Sequence, residues 1–177
     1  RVACDVVPCN MMLNFLSLQL GMEYDANGET GARGVVDATL LNQLNTLEFY
    51  RLPGPKSLGR EWFEQQVVPL FASCQISLQD KLRTAYEHIA IQISNAAAHI
   101  NPGTILATGG GAKNEFLIQL IGEKVKHRVV VPPDMLVDYK EALIFAFLAA
   151  LYLDGTPSAL ASSTGAITDS IAGCLYL

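Results

Sequence analysis

Three consecutive glycines, Gly109–Gly111, stand inside Thr104–Asn114 (TILATGGGAKN), between a short apolar run and a fresh apolar pattern. Without a Cβ the backbone can reach φ > 0 and lie directly against a flat or charged ligand. The same residues also suit a tight strand-to-helix turn that binds nothing. The stretch is not GxxxxGK[ST], because Lys113 is followed by Asn114, and it lacks GxGxxG spacing. Residue chemistry therefore admits a nucleotide or a sugar without choosing between them.

Two carboxylates could do acid–base work. Asp5 sits near the end of RVACDVV, read as a strand over residues 1–7, just before Pro8 and a helical pattern. Doubly wound folds place catalytic acids there, and a loop or capping aspartate would look the same. Glu141 follows Lys140 in the strongly apolar stretch 137–153, where a carboxylate has a cost unless it is bonded, functional or favoured by the first-turn dipole. RLPGPKSLGRE at residues 51–61 gathers Lys56, Ser57, Arg60 and Glu61 at the mouth of a helix, with Ser57 as the expected N-cap. Cations at a helix N-terminus can hold an anion; a rigid, capped linker reads equally well. His88 and His99 read as surface or core histidines. YDANGETGARG at residues 24–34 reads as an exposed turn, since the acids that would complete a calcium loop are absent.

The elements that must position these groups alternate between helix and strand. Helical patterns are expected at 11–20, with Asn10 as cap and Gly21 as stop, and at 35–47, 77–100, 114–123 and 137–153. The last is expected to be a core helix. Strands are expected around Thr104 and at 126–131, where the apolar run implies a mainly parallel sheet. The fold class is thus α/β, mainly helices packed on a small sheet, in a single domain over 1–177.

Hydrophobic residues make up 50% of the 177 and charged residues 16%, with a mean hydropathy of +0.27. That is enough for one good core. No apolar run reaches the roughly 18 residues of a membrane helix, so no membrane partner is expected. A net charge of −5 argues against nucleic acid, which needs a basic face. The four cysteines are scattered without a CxxC pair, so no metal site is expected and the thiols read as reduced and cytoplasmic. The sequence opens at Arg1 without methionine or a signal pattern, read as a chain whose N-terminal part is missing.

Four blocks together resemble the C-terminal half of the anhydro-N-acetylmuramic acid kinase family, within the sugar-kinase, actin and Hsp70 type ATPase superfamily. They are CDVVPCN (4–10), GPKSLGREWF (54–63), ATGGGAKNEFL (107–117), and KEALIFAFLA with the closing STGAITDSIAGCLY. The resemblance implies the C-terminal, actin-like (ribonuclease H-like) ATPase domain of a two-domain protein. It implies ATP and Mg²⁺ as cofactors, both held mostly by the other half, and an amino sugar as substrate. The implied reaction hydrolyses a 1,6-anhydro ring and phosphorylates the sugar in cell-wall recycling. Asp5 would be the catalytic base, with Glu141 near the sugar. Gly109, Gly110, Gly111 and Asn114 would line the adenosine. Asn10, Lys56, Ser57, Arg60 and Glu61 would border the substrate, and a homodimer is admissible. Where the family has Thr-Gly-Pro-Gly after its aspartate, this sequence has Val6, Val7, Pro8 and Cys9. A nucleotide- or sugar-binding regulatory protein of the same fold is therefore the alternative, and the isolated chain is expected to be inactive.

Overall fold

Helix α6 (Leu78–Ala97) is the post around which the other helices stand. Leu82, Ala85, Tyr86, Ile89 and Ala90 are fully buried along one stripe of it, the i, i+3, i+4, i+7, i+8 spacing of a core-facing helix. The computed structural model describes residues 2–176. Against the stripe pack α1 (Cys9–Gln19) through Met12 and Leu16, and α3 (Ala38–Asn45) through Leu40 and Leu44. Leu117, Leu120 and Ile121 of α7 (Glu115–Lys124) close the same core. Ser77 caps α6 as expected, its Oγ accepting the Asp80 N–H at 3.1 Å. The short α2 (Glu29–Ala32) lies across the same helix.

Strand β1 (Thr104–Leu106) pairs in parallel with β2 (Arg128–Val130), Ile105 opposite Val129, with α7 as the crossover between them. Parallel strands need such a crossover. The chain is thus a helix-rich α/β fold on a two-stranded parallel sheet. Between the halves run α4 (Arg60–Trp62), a π turn at Phe63–Val67 and α5 (Val68–Ser73). The π turn leads into Pro69, which has no N–H to give to a preceding carbonyl. Helix α8 (Asp134–Leu153) and the short α9 (Ala161–Thr164) follow β2.

Several expectations are corrected. Residues 2–8 form no strand, and Arg1 lies outside the described residues. The segment's main-chain bond to a distant part of the chain runs from Asp5 N–H to the Lys56 carbonyl in a loop, at 2.9 Å, while the Val7 and Pro8 carbonyls bond into the start of α1, so it joins no ladder. Helix α1 begins at Cys9 behind Pro8, which leaves Asn10 inside the first turn rather than capping it; Gly21 at φ 79° does end it. Helix α3 starts at Ala38, because Asp37 Oδ1 takes the Leu40 N–H at 2.7 Å and so caps it. Ser57 caps nothing: Gly59 stands before α4. The stretch 24–34 is not an exposed loop, since it folds as a 3-10 turn and α2 and buries Asp25 to 4% exposure.

Helix α8 was expected in the core, yet Val137 is its one buried residue among those described, with Phe145 70% and Phe147 60% exposed. Its first turns are tied to the glycine turn instead. Lys113 pairs with Asp138 at 2.5 Å and Lys140 Nζ donates to Thr108 Oγ1 at 2.7 Å. Among the described residues, no helix is long and apolar enough to cross a membrane.

Candidate functional site

The glycine turn leaves β1 through Gly109 at φ 80°, ψ −179°, a backbone region open essentially to glycine alone. Gly110–Lys113 then make one 3-10 turn, and the buried Ala112 pins it to the protein. Asn114 caps α7, its Oδ1 accepting the Leu117 N–H at 3.0 Å. The turn forms one wall of a cavity of about 450 Å³, whose other walls include Asn10, Tyr24, Asp25 and Tyr86. Asn10 stands beside the turn: a Cβ on Gly111 would lie 3.1 Å from Asn10 Oδ1. Lys113 also faces this cavity, its ammonium held above the ordinary lysine range by the bonded Asp138 carboxylate.

A buried polar cluster supports the cavity from below. Asp25 accepts the N–H groups of Thr30 and Gly31, both at 2.9 Å, and the Tyr86 hydroxyl at 3.1 Å. Asn114 Nδ2 in turn donates to the Tyr86 oxygen at 2.6 Å. Burial pushes the Tyr86 phenol well above the ordinary tyrosine range, so it stays a neutral donor. Asn114 spends its side chain on this cluster and on its cap, and so shapes the cavity through the turn it holds. Asp25 and Tyr86 escaped sequence reasoning. The legible signal was the pair Gly28 and Gly31, where a Cβ would lie 2.6 Å from Asn114 Oδ1 and 2.3 Å from the Tyr86 ring.

Asp5 is exposed and belongs to a second, adjoining cluster. Its Oδ2 accepts the Leu58 N–H at 2.7 Å, while its own N–H is held by the Lys56 carbonyl. Oδ1 takes no hydrogen bond among the described residues, so one carboxylate oxygen remains free to accept a proton. The chain from Asp5 to Asn10 links this carboxylate to the glycine-turn cavity. Ser57, Arg60 and Glu61 are exposed on the same loop and the start of α4 and make no side-chain hydrogen bond among the described residues. Glu141 is exposed on α8, one residue beyond the Lys140 that holds Thr108, and joins neither cluster. Among the described residues, no three His, Cys, Asp or Glu converge as a metal site.

Comparison with known proteins gives this arrangement a family. The sequence pattern of the family described as anhydro-N-acetylmuramic acid kinase matches residues 1–177. The chain is 34% identical to a Pseudomonas syringae protein named anhydro-N-acetylmuramic acid kinase, over 97% of this chain and 50% of that protein. A Xanthomonas oryzae protein of the same name is 34% identical over 97% of this chain and 48% of its own length. A Haemophilus influenzae protein of that name is 29% identical over 99% and 51%. The chain thus spans about half the length of the curated relatives it matches. With the family pattern matched from end to end, the chain belongs to the anhydro-N-acetylmuramic acid kinase family.

Proposed function

We propose that the whole protein carrying this chain is a cytoplasmic, ATP-dependent sugar kinase acting in cell-wall recycling. It opens the 1,6-anhydro ring of anhydro-N-acetylmuramic acid with water and phosphorylates O6, giving N-acetylmuramic acid 6-phosphate. This chain is its actin-like C-terminal domain. One observation supports the reading: Asn10, five residues along the chain from Asp5, lines the same cavity as Gly110 and Gly111, so the segment that bears the proposed base also reaches the proposed nucleotide site.

The residues fit a nucleoside. Gly109 and Gly110 leave the turn's backbone bare, with nothing within 4 Å of a Cβ at Gly109, and Asn10 offers an uncommitted carboxamide beside Gly111. ATP, when bound, supplies the phosphoryl group for O6. Asp5 takes a proton from water at its free Oδ1 while Leu58 N–H steadies Oδ2, the geometry general-base work requires. Arg60, Glu61 and Ser57 border the sugar from the exposed loop, while Glu141, which joins neither cluster, is assigned to the sugar by the family resemblance alone. Val6 and Val7 replace a hydroxyl and a glycine of the family pattern, so sugar contacts on that loop come from elsewhere.

Incubating the whole protein with ATP and the anhydro-sugar, with mass-spectrometric detection of the 6-phosphate, tests the reaction. Asp5→Asn abolishes turnover and spares nucleotide binding. Nucleotide binding with no transfer by the unaltered protein would favour the regulatory alternative, and a fully active Asp5→Asn enzyme would remove Asp5 from the mechanism.

A further inference from the structure

Lys56 is the cation of the GPKSLGRE block, and its ammonium is already occupied. Nζ donates to the carbonyl oxygens of Phe49 at 2.8 Å and Leu52 at 3.1 Å, and lies 4.3 Å from the centre of the Phe49 ring. Two of its three donors are thus spent at the C-terminal end of the 3-10 turn Glu48–Arg51, where a cation is favoured.

That turn is itself fastened to the core. Phe49 is buried and packs on Trp62 with ring centres 5.3 Å apart. Tyr50 reaches His88 of α6, oxygen to Nε2 at 2.9 Å. His88 Nδ1 lies 2.7 Å from Asn45 Oδ1, which also accepts from Gln92 Nε2 at 2.8 Å. Asn45 Oδ1 can only accept, so His88 carries its proton on Nδ1 and Nε2 receives the Tyr50 hydroxyl. In the other direction, the Lys56 carbonyl holds the Asp5 N–H, and the Leu58 N–H two residues on holds the Asp5 carboxylate. An unbroken run of contacts therefore joins the buried His88 to Asp5, and Lys56 is the link between its fixed end and its exposed end.

We infer that Lys56 is a positioning residue: it ties the loop at 56–58 to the anchored turn at 48–52, fixes the backbone that aims the Asp5 carboxylate, and does not itself hold the sugar. The inference rests on the proposed role of Asp5 as base.

The test uses the whole protein with ATP and the anhydro-sugar. Lys56→Met keeps the apolar stem over Phe49 and removes the donors; Lys56→Arg restores them. Displacing a catalytic group by about an ångström costs up to about 100-fold in rate. Lys56→Met is expected to lower kcat between about 10- and 100-fold, with the KM for sugar within about twofold, while Lys56→Arg recovers most of the rate. Hydrogen exchange of the Leu58 amide should quicken in the Met variant and not in the Arg variant. A raised KM at unchanged kcat, or unchanged Leu58 exchange in Lys56→Met, overturns the inference. An unaltered protein that does not turn over this sugar defeats the functional reading instead, and the Leu58 exchange still decides what Lys56 holds.

Discussion

The carboxamide of Asn10 stands beside Gly111, close enough that a Cβ at Gly111 would lie 3.1 Å from its Oδ1. Residues assigned to opposite sides of the site thus meet. Gly111→Ala should be nearly neutral for stability, within about 0.5 kcal/mol, because Asn10 is exposed and can swing away. Its displacement takes the carboxamide off the cavity wall. Losing one hydrogen bond of about 1 kcal/mol weakens nucleotide binding by roughly fivefold. Calorimetry of the whole protein with ATP checks this, and unchanged affinity would leave Asn10 no part in nucleotide binding.

Gly109 gives the opposite result. Nothing lies within 4 Å of a Cβ there, so Gly109→Ala meets no steric neighbour. Its φ of 80° with ψ of −179° is a conformation that costs an L-residue about 1–3 kcal/mol. Urea denaturation should show a loss in that range. A substitution that left the midpoint unchanged would mean that the turn relaxes to another conformation.

Gly31→Ala tests the cluster under the cavity. The new Cβ would stand 2.3 Å from the Tyr86 ring, which is wholly buried and fixed at its hydroxyl by Asp25 and Asn114. Overpacking a site that cannot yield costs on the order of 3 kcal/mol. Tyr86→Phe keeps the ring and removes the hydroxyl that Asn114 and Asp25 share, at about 1–3 kcal/mol for the buried groups left unpaired. Both losses are read from denaturation midpoints. An undestabilised Gly31→Ala would show that α2 shifts away from α6.

How much of this was legible in the sequence depended on the range of the physics involved. Local rules reached the start of α6 at Ser77, the stop at Gly21, the parallel pairing of the two β-branched stretches and the glycine turn, because each is settled within a few residues. Asp25 was not legible: a loop rich in Asp, Asn and Gly looks solvated until Tyr86, 61 positions away, supplies a partner for its carboxylate. Helix α8 failed for a related reason. Its composition demands a covered face, but among the described residues only Val137 of α8 is buried, and composition does not say which surface does the covering. Lys56 looked like a ligand for an anion because its carbonyl partners, Phe49 and Leu52, carry no mark in their side chains.

His88 provides the last prediction, a dependence of stability on pH. Burial lowers its pKa from the ordinary 6.5 to about 3, and its ring is held neutral between Asn45 and Tyr50. Between those two values the unfolded chain takes up a proton that the folded chain refuses. The unfolded state therefore binds more protons, and stability falls as pH drops through this window, by up to about 1.4 kcal/mol per pH unit. Above the unfolded value both states are neutral and the group contributes no slope. His88→Gln can donate towards Asn45 and accept from Tyr50 but does not titrate. It should be less stable than the unaltered protein at neutral pH and flatter by about one proton from roughly pH 6 to pH 4. The neighbouring Glu87, held below its ordinary range in the company of Lys124 and Arg83, is common to both proteins and drops out of the comparison. Denaturant titrations at a series of pH values measure the two slopes. Equal slopes would mean that His88 opens to solvent and takes its proton in the folded state.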